Sequence, residues 1–197
     1  MRILVACEYS GRVRDAFIRK GHEAISCDFE PSDSPGPHYQ GDVLDIIDDG
    51  FDLLIAHPPC TYLTLAGARW FYDPKDKSKP HPKYPNRWQD REEAIEFFLQ
   101  LKNSSIPKIC IENSQPLGYV TERVGGYTQK VQPWMFGEPY TKGACLWLKN
   151  LPELIPTHDK PKNIIAKCHN ESPGKDRWKR RSTTYPCIAN AMAEQWG

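Results

Sequence analysis

The residues best suited to chemistry lie in one short segment, His57-Pro58-Pro59-Cys60. This segment directly follows the apolar run 51–56, which is bounded by turn residues and is typical of a buried strand. A cysteine placed there stands at the carboxyl edge of an α/β sheet, where ligands bind in such folds. Because two prolines fix the backbone before it, the Cys60 thiol is expected to be rigidly mounted and to act as a nucleophile. The alternative is a structural cysteine buried beside a turn, since free cysteine is often buried.

A second candidate group follows another predicted strand. The apolar run 108–111 ends in Glu112-Asn113, much as the run 51–56 ends in the cysteine segment. Two strand ends on one sheet can bring their side chains together, so Glu112 and Cys60 are expected to share a pocket. A carboxyl group beside a thiol suits a reaction that needs a nucleophile and a proton donor together. The alternative is that Glu112 is a solvated residue at a strand end.

Two aspartates and a helix start indicate a site for a ligand that carries adenosine. Asp28 ends the predicted second strand, where an acidic residue in a nucleotide-binding fold accepts hydrogen bonds from a ribose diol. Asp42 follows Gly41 in a tight loop, and the helix that opens at Gly11 offers free backbone N–H groups to an anionic group. No complete Gly-x-Gly-x-x-Gly is present, so a nicotinamide or flavin cofactor is poorly supported. Acidic residues that only cap turns are the alternative.

Strands and helices alternate along the chain in the way that builds βαβ units. We predict strands at 3–6, 22–27, 51–56 and 108–111, strand-like runs within 127–148, and helices at 10–20, 89–101 and 188–196. Gly21 is the expected C-terminal cap of the first helix. Segments 30–40 and 73–87 are rich in turn-forming residues and are expected to be loops. The predicted class is α/β, with a mostly parallel sheet and helices on both faces.

The composition argues against a strongly basic nucleic-acid binder. The 197 residues carry a net charge of +1 and a sequence pI of about 7.6. The charge is uneven, because residues 160–181 include eight basic and two acidic side chains. Such a run is either a solvated loop or a contact for phosphates. We expect a single domain over 1–197, in which 149–185 forms a basic, substrate-facing segment.

The seven cysteines point to a reducing, cytoplasmic environment. Their number is odd and no Cys-x-x-Cys pair occurs, which argues against a disulfide framework and against a structural zinc site. The adjacent pair Cys168-His169 is interpreted as incidental, and no metal site is predicted. Neither a signal peptide nor an apolar stretch near the roughly 20 residues of a membrane span is present, so no membrane partner is expected.

These features resemble, in order and spacing, the DNA cytosine-5 methyltransferase family. Segment 3–21 resembles the family's first motif, normally Phe-x-Gly-x-Gly, which binds S-adenosylmethionine; here Ala6 and Gly11 remain and the glycines are mostly replaced. Segment 52–67 resembles the catalytic Pro-Cys loop, with Thr61 in place of the usual Gln. Segment 107–113 resembles the strand that leads to the Glu-Asn-Val motif. The fold that this resemblance implies is the Rossmann-like S-adenosylmethionine-dependent methyltransferase fold.

The likeness covers roughly residues 3–115, and Asp90-Arg91 falls within it as a match to the family's Asp-x-Arg helix. A looser similarity near Asn190 matches the closing motif. The large target-recognition domain that precedes that motif in the family is missing, and only Lys142 stands near the place of the Gln-x-Arg-x-Arg motif. The chain therefore resembles the short methylase-like proteins of phages and prophages. A homodimer or a separate recognition partner could supply the missing surface.

The resemblance implies transfer of a methyl group from S-adenosylmethionine to carbon 5 of a pyrimidine, with cytosine in DNA favoured. Cys60 would add to carbon 6 as a thiolate, while Glu112 would protonate or hydrogen-bond N3 and the exocyclic amine. In duplex DNA the base would first be flipped out of the stack. The implied cofactor-binding residues are Ala6, Glu8, Ser10, Gly11, Asp28, Asp42, Val43 and Pro58. The implied substrate-binding residues are Pro59, Asn113, Lys142, Lys179, Arg180 and Arg181.

Three other interpretations stay open at this stage. An amino-methyltransferase is disfavoured, since by resemblance it carries Asp, Asn or Ser before Pro-Pro and an aromatic residue after, where this chain has His57 and Cys60. A methyltransferase acting on free pyrimidine nucleotides or single strands fits the missing recognition domain. A degenerate fold that binds nucleic acid or a host protein fits the lost glycines, although retention of Cys60 and Glu112 counts against it. His57 either steers a proton near Cys60 or serves in packing.

Overall fold

The computed structural model describes residues 1–168 and 170–197, so the interpretation of the pair Cys168-His169 falls partly outside the described residues. The strands are β1 (Arg2–Ala6), β2 (Glu23–Asp28), β3 (His38–Gln40), β4 (Leu53–Ala56), β5 (Lys108–Asn113), β6 (Gln129–Val131) and β7 (Ala144–Lys149). The α-helices are α1 (Arg12–Arg19), α2 (Arg87–Lys102), α3 (Gly118–Val124), α4 (Arg177–Ser182) and α5 (Pro186–Trp196). Short 3-10 helices occupy Val43–Asp45, Leu65–Trp70 and Pro133–Phe136.

All seven strands form one mixed sheet in the order β3-β2-β1-β4-β5-β7-β6. The five strands from β3 to β5 pair in parallel, whereas β7 runs antiparallel to both of its neighbours, β5 and β6. Parallel strands buried on both faces require near-continuous apolar runs, which is what β1 and β4 supply. The predicted α/β class with a mostly parallel sheet is therefore confirmed.

Alternate residues of the central strands feed two separate hydrophobic layers. Ile3 and Val5 of β1 pack on one face with α1 and α5, while Leu4 and Ala6 pack on the other face with α2 and α3. Helix α1 ends as predicted, because Gly21 follows it with a φ of 84°, a left-handed value that favours glycine. The helices cover both faces of the sheet and leave the carboxyl ends of β1, β2, β4 and β5 at one edge.

Three elements lie where the sequence predicts loops or no regular structure. Strand β3 lies inside segment 30–40, where it adds a three-residue edge strand parallel to β2. Helix α4 lies inside the basic segment 149–185, and α3 follows β5 directly. Helix α4 consists of Arg-Trp-Lys-Arg-Arg-Ser, which has no apolar periodicity to predict it. Within the described part of the chain, no helix is both long and apolar enough to cross a bilayer.

A buried arginine organises the loop between β2 and β3. The side chain of Arg14 is fully buried, and its guanidinium donates seven hydrogen bonds within 2.7–3.3 Å. The acceptors are the side chains of Asp15, Ser26, Ser32 and Ser34 and the carbonyls of Ser34, Pro35 and Pro37. A guanidinium with its donors satisfied is the form in which a buried charge is tolerated. Helix α1 therefore fixes the path of segment 30–40.

We expect Arg14→Leu to destabilise the protein by about 3–5 kcal/mol, because it leaves buried acceptors without donors. The matched control is Arg19→Leu on the same helix, since Arg19 is exposed and makes one side-chain hydrogen bond, to Asn190. The control should change stability by less than about 1 kcal/mol. Urea unfolding followed by circular dichroism measures both, and equal losses for the two variants would contradict the anchoring role of Arg14.

Candidate active site

The parallel register brings the Cys60 segment and the end of β5 side by side. Ala56 pairs with Ala6 of β1 on one side and with Ile111 of β5 on the other, so the segment that follows Ala56 runs beside the last two residues of β5, Glu112 and Asn113. The buried Asn113 then donates a hydrogen bond from Nδ2 to the Pro58 carbonyl at 2.9 Å. This bond ties the loop after β4 to the end of β5, as the sequence predicts for two neighbouring strand ends.

The Cys60 side chain is exposed at this edge. The carbonyl of Cys60 accepts hydrogen bonds from Leu63 N at 3.2 Å and from Thr64 Oγ1 at 3.0 Å, so a tight turn follows the cysteine. The buried structural cysteine considered from the sequence is therefore wrong for Cys60. Its neighbour Pro58 is buried and Pro59 is exposed, which gives the thiol a fixed base with an open outer side.

Glu112 is held by His57. The Nδ1 of His57 lies 3.1 Å from Oε2 of Glu112, and only 11% of the His57 side chain and 15% of the Glu112 side chain are exposed. An ionised carboxylate only accepts hydrogen bonds, so the Nδ1 of His57 is the donor. Glu112 is therefore not a solvated strand-end residue. His57 acts as the hydrogen-bond partner of Glu112, a role that the sequence did not predict.

Opposing effects act on the pKa of Glu112. Burial raises it, while the hydrogen bond from His57 and the electrostatic effects of His57 and Lys142 lower it, and the net direction is a pKa below the usual value. The carboxylate is therefore kept ionised in a place where burial alone would protonate it. Among the described residues, the buried Nε2 of His57 has no hydrogen-bond partner, so this ring retains an unused polar atom.

The net effect on the pKa of the Cys60 thiol is in the opposite direction, upward. Burial by the surrounding chain and the negative charge of Glu112 raise its pKa, while the charges of Lys142 and Arg181 partly offset that rise. Lys142 is positioned by hydrogen bonds from Nζ to the carbonyls of Ser182 at 3.3 Å and Thr183 at 3.0 Å. The resting thiol is therefore protonated near neutral pH, and attack by Cys60 requires that its proton be removed as the bond forms.

The three basic candidates on α4 have different surroundings. The positive charge of Arg181 acts on Cys60, and the buried Nε of Arg181 has no hydrogen-bond partner in the described part of the chain. Lys179 lies 3.8 Å from Glu30 and 3.7 Å from Asp33, and Arg180 lies 2.7 Å from a Glu171 carboxylate oxygen. The structure therefore brings Lys142 and Arg181 to the thiol, whereas Lys179 and Arg180 are engaged in ion pairs away from it.

A cleft opens between the ends of β1 and β2 and the second half of α2. Its volume is about 100 Å³, which is below the roughly 300–1,000 Å³ of most small-molecule sites, so it can enclose part of a small molecule. The lining includes the predicted Asp28, Asp42 and Val43, together with Cys7, Cys27, Phe29, Gly41, Pro59 and Phe97. The two aspartates predicted for a ligand that carries adenosine thus line one cleft. Pro59 belongs to its wall and separates it from the Cys60 thiol.

Two aromatic residues of this cleft were missed by the sequence analysis. Phe29 is 72% exposed, which leaves a large apolar ring in solvent directly beside Asp28. Phe97 projects from α2 on the opposite side of the cleft. An exposed phenylalanine next to a strand-end carboxylate is suited to stack on a planar ring system. The signal available in the sequence was the adjacency of Asp28 and Phe29, but the exposure of Phe29 depends on tertiary structure.

The predicted anion site at the start of α1 is corrected by the structure. The carboxylate of Glu8, only 4% exposed, accepts hydrogen bonds from the backbone N–H groups of Val13 at 2.8 Å and Arg14 at 3.2 Å. The hydroxyl of Ser10 donates to the same carboxylate at 3.2 Å. The helix start is therefore already occupied by a side chain of this protein, and the N–H groups expected to be free at Gly11 are not.

The backbone before this helix adopts a conformation that favours glycine although no glycine stands there. Cys7 has a φ of 57°, whereas Ala6 before it is fully buried at the end of β1. A left-handed conformation costs a non-glycine residue roughly 1–2 kcal/mol. Burial and the nearby Asp28 raise the pKa of Cys7, so this thiol has little nucleophilic character near neutral pH. Cys7 is therefore part of the cleft wall.

No group of three or more potential metal ligands occurs among residues 1–168 and 170–197. Neither Cys60 nor Glu112 lies in a cluster of that kind. The chemistry available at this edge of the sheet consists of a thiol, a carboxylate held by an imidazole, and two cationic side chains.

Solved structures of three methyltransferases resemble the chain in fold. One is a methyltransferase of Entamoeba histolytica, EhMeth, which is 12% identical in sequence and has a TM-score of 0.51. The matched region covers 88% of this chain and 63% of that protein. Another is an Escherichia coli prophage protein assigned as a DNA modification methyltransferase, which is 16% identical and has a TM-score of 0.49. Here the matched region covers 88% of this chain and 55% of that protein. The third is a DNMT2 variant of Spodoptera frugiperda, which is 15% identical and has a TM-score of 0.41. The matched region covers 88% of this chain and 60% of that protein. No protein-family model and no curated protein matches the sequence.

The fold is the Rossmann-like methyltransferase fold. The strand order 3-2-1-4-5-7-6 with an antiparallel β7 defines it, and the similarity to the E. histolytica methyltransferase agrees with that class. The chain spans between 55% and 63% of the length of the three matched chains. At such low identities the likeness concerns the fold, and the activity has to be argued from the site itself.

We expect iodoacetamide to alkylate Cys60 at higher pH than a free thiol, whose pKa is about 8.5. The reason is that a raised pKa lowers the thiolate fraction at any given pH. Lys142→Met should move the Cys60 profile further upward, since the Lys142 charge lowers that pKa. Peptide mass mapping separates Cys60 from the other cysteines. The control is Lys75→Met on an exposed loop; a profile that responds equally to both changes would contradict the local role of Lys142.

Proposed function

We propose that this protein transfers a methyl group from S-adenosylmethionine to carbon 5 of a pyrimidine, with cytosine in DNA as the favoured target. The observation that carries the proposal is the joining of the Cys60 loop to the end of β5 by the Asn113–Pro58 hydrogen bond of 2.9 Å. This bond places a thiol and an ionised carboxylate at adjacent strand ends. The cleft lined by Asp28 and Asp42 lies on the other side of Pro59 from the thiol.

The cleft residues fit the adenosine part of that cofactor. Asp28 offers carboxylate oxygens to a ribose diol, and burial raises its pKa, as is common at functional sites. Asp42 and Val43 line the same cleft, and the rings of Phe29 and Phe97, which also line it, are suited to pack against a planar base. S-Adenosylmethionine, when bound, supplies an electrophilic methyl group. The protein's own contribution is to bind it beside Pro59 and to exclude water from the cleft.

Cys60 supplies the nucleophile. Its sulfur forms a bond to carbon 6 of the ring as its proton leaves, and the electron pair of the 5,6 double bond moves to carbon 5. Carbon 5 thereby becomes nucleophilic enough to accept a methyl cation. Loss of the carbon 5 proton then restores the double bond as the Cys60 sulfur departs as a thiolate. Because the resting thiol is protonated, water at the exposed Cys60 accepts the thiol proton as the sulfur–carbon bond forms, and water likewise accepts the carbon 5 proton.

Glu112 and two cations serve the ring atoms. The Glu112 carboxylate, fixed by His57, accepts a hydrogen bond from the exocyclic amine of cytosine and favours a proton on N3. Negative charge that develops on the ring during attack is offset by Lys142 and Arg181, whose charges already act on Cys60. We assign His57 as a positioning residue, because it acts on the substrate through Glu112.

Segment 149–185 is proposed as the substrate-facing part of a single domain over residues 1–197. Lys142 is hydrogen-bonded to the segment's Ser182 and Thr183 carbonyls, and the hydroxyl of Tyr9 contacts Lys179 O at 2.8 Å. The segment is therefore anchored to both the β1 end and the active edge. In a duplex the target base must leave the stack to reach Cys60, at a free-energy cost of about a few kcal/mol.

A nucleic-acid-binding protein without catalysis is the second candidate. The observation that favours it is the occupation of the α1 start by Glu8, which removes N–H groups that an anionic part of a cofactor would use. Cofactor binding and covalent trapping separate the two candidates. A homodimer or a recognition partner is compatible with both.

Calorimetry with S-adenosylhomocysteine, the demethylated product, tests the cleft. Phe29→Ala should weaken binding about tenfold or more, since one stacked base contributes roughly 1–3 kcal/mol. The matched control is Ile155→Ala, because Ile155 is also 72% exposed but lies outside the cleft. If the unmodified protein does not bind S-adenosylhomocysteine, the cofactor assignment is wrong. If Phe29→Ala and Ile155→Ala bind it with equal affinity, Phe29 does not contribute to the site.

Covalent trapping tests the reaction. With S-adenosylmethionine and DNA that carries 5-fluorocytosine, the protein should form an adduct at Cys60, because fluorine cannot leave carbon 5 as a proton does. Intact mass and peptide mapping detect the adduct. Cys60→Ala should abolish it, Glu112→Gln should slow it at least about a hundredfold, and Cys187→Ala should form it normally. If the cofactor binds but no adduct forms on DNA or on free 5-fluoropyrimidine nucleotides, the pyrimidine assignment is wrong. If neither is observed, the binding protein is favoured.

A further inference from the structure

An aromatic pocket that includes Cys60 is separate from the cofactor cleft. It is lined by Cys60, Thr61, Tyr62, Thr64, Ala66, Gly67, Trp70, Tyr84 and Arg87. None of these residues lines the cleft that contains Asp28 and Asp42. The function proposed above assigns a ligand to that cleft and leaves the aromatic pocket without one.

The walls of this aromatic pocket are built and held in place. Trp70 meets the rings of His81 and Tyr84 edge to face, with centroid separations of 5.3 and 5.6 Å. The segment is fastened to the chain after β5 by two backbone hydrogen bonds, from Leu65 N to Gln115 O at 3.0 Å and from Leu117 N to Leu63 O at 2.9 Å. The rings of the pocket are therefore fixed relative to Glu112, and the pocket is an ordered surface next to the reacting atoms.

Arg87 forms the floor of the pocket and has an unused donor. The residue is 5% exposed, and its Nη2 donates to the Thr61 carbonyl at 2.6 Å. Its guanidinium carbon lies 4.8 Å from the centre of the Tyr62 ring and 5.9 Å from that of Tyr84. In the described structure the buried Nε of Arg87 has no partner. A buried N–H without an acceptor is uncommon, and it points to a ligand that carries hydrogen-bond acceptors.

The segment of chain that carries the pocket is positively charged. Residues 61–87 contain six basic side chains (Arg69, Lys75, Lys77, Lys79, Lys83 and Arg87) against Asp73 and Asp76. The four lysines are exposed. Aromatic rings that alternate with cationic side chains form the usual surface for single-stranded nucleic acid, where bases stack and phosphates meet the charges. A planar ligand with acceptor atoms and an adjacent anionic backbone is a nucleotide of such a strand.

We propose that the aromatic pocket binds the base next to the target pyrimidine, and that the substrate is therefore single-stranded nucleic acid. This inference rests on the proposed function, because it takes Cys60 as the point where the target base reacts. The neighbour of a target base in a duplex stays paired and stacked, so it cannot enter a pocket that adjoins the thiol. In a single strand the neighbouring base is free to stack on Trp70 and Tyr84 while Arg87 donates to one of its acceptor atoms.

Fluorescence anisotropy with labelled DNA of about 12 nucleotides tests the pocket on the full-length protein. The single strand should bind at least about tenfold more tightly than a duplex of the same sequence. Trp70→Ala should weaken single-strand binding about tenfold or more, whereas Trp70→Phe should retain most of the affinity. The matched control is Tyr72→Ala, because Tyr72 is 40% exposed on the same segment but does not line the pocket. It should change affinity less than about twofold.

Photocrosslinking keeps the test decisive if Trp70→Ala fails to fold. A single strand with 5-iodouracil on either side of the target cytosine should crosslink to Trp70 or Tyr84, as located by peptide mass. Equal or tighter binding of the duplex, or crosslinks confined to other surfaces, would overturn the proposal. So would trapping of free 5-fluorodeoxycytidine monophosphate as efficient as that of the strand. A matching RNA strand shows whether the sugar matters, and preferential binding of RNA would assign the pocket to RNA.

The outcomes also separate this inference from the function on which it rests. Binding of single strands that depends on Trp70, without any adduct at Cys60, would support the pocket and contradict the methyl transfer. An adduct at Cys60 that forms faster on duplex DNA, and is unchanged by Trp70→Ala, would support the methyl transfer and contradict the pocket.

Discussion

The register of three parallel strands is the constraint on which the rest of the site depends. Ala6, Ala56 and Ile111 lie in one row; β1 and β4 end there, and β5 ends two residues later, so the three strand ends lie close together on a single edge. Each exit carries a different group: a capped helix start after β1, the thiol after β4, and the carboxylate at the end of β5. Because these strands are buried on both faces, a slip of one residue would move every apolar side chain into the wrong layer. The relative placement of Cys60 and Glu112 is thus protected by the whole core.

The sequence predicted the parts of the site that depend on strand ends, because a polar residue after a buried apolar run is visible without a structure. It could not predict the hydrogen bond between His57 and Glu112, because that bond requires β4 and β5 to be neighbours in the sheet. The bond fixes the Glu112 side chain, which the sequence alone allowed to be a solvated strand-end residue. It also gave the wrong environment for the start of α1. The carboxylate that occupies those N–H groups belongs to Glu8, and its direction follows from the left-handed turn at Cys7.

The basic candidates illustrate a second limit of sequence reasoning. Lys179, Arg180 and Arg181 are consecutive, and a helix rotates successive side chains by about 100°, so at most one of them was able to face the thiol. The prediction treated the segment as a loop and assigned all three to the substrate, since Arg-Trp-Lys-Arg-Arg-Ser has no apolar stripe that would indicate a buried face. Only the tertiary contacts of Tyr9 and Lys142 fix the rotation of α4.

Tyr9 lies in the loop between β1 and α1, and its hydroxyl is within 2.8–3.1 Å of Lys179 O, Ser182 Oγ and Thr183 Oγ1. A glycine at this position would have no side chain to make these contacts. One hydroxyl group therefore fastens the end of α4 to the beginning of the sheet across 170 positions of the chain, so the C-terminal segment depends on the N-terminal one for its place.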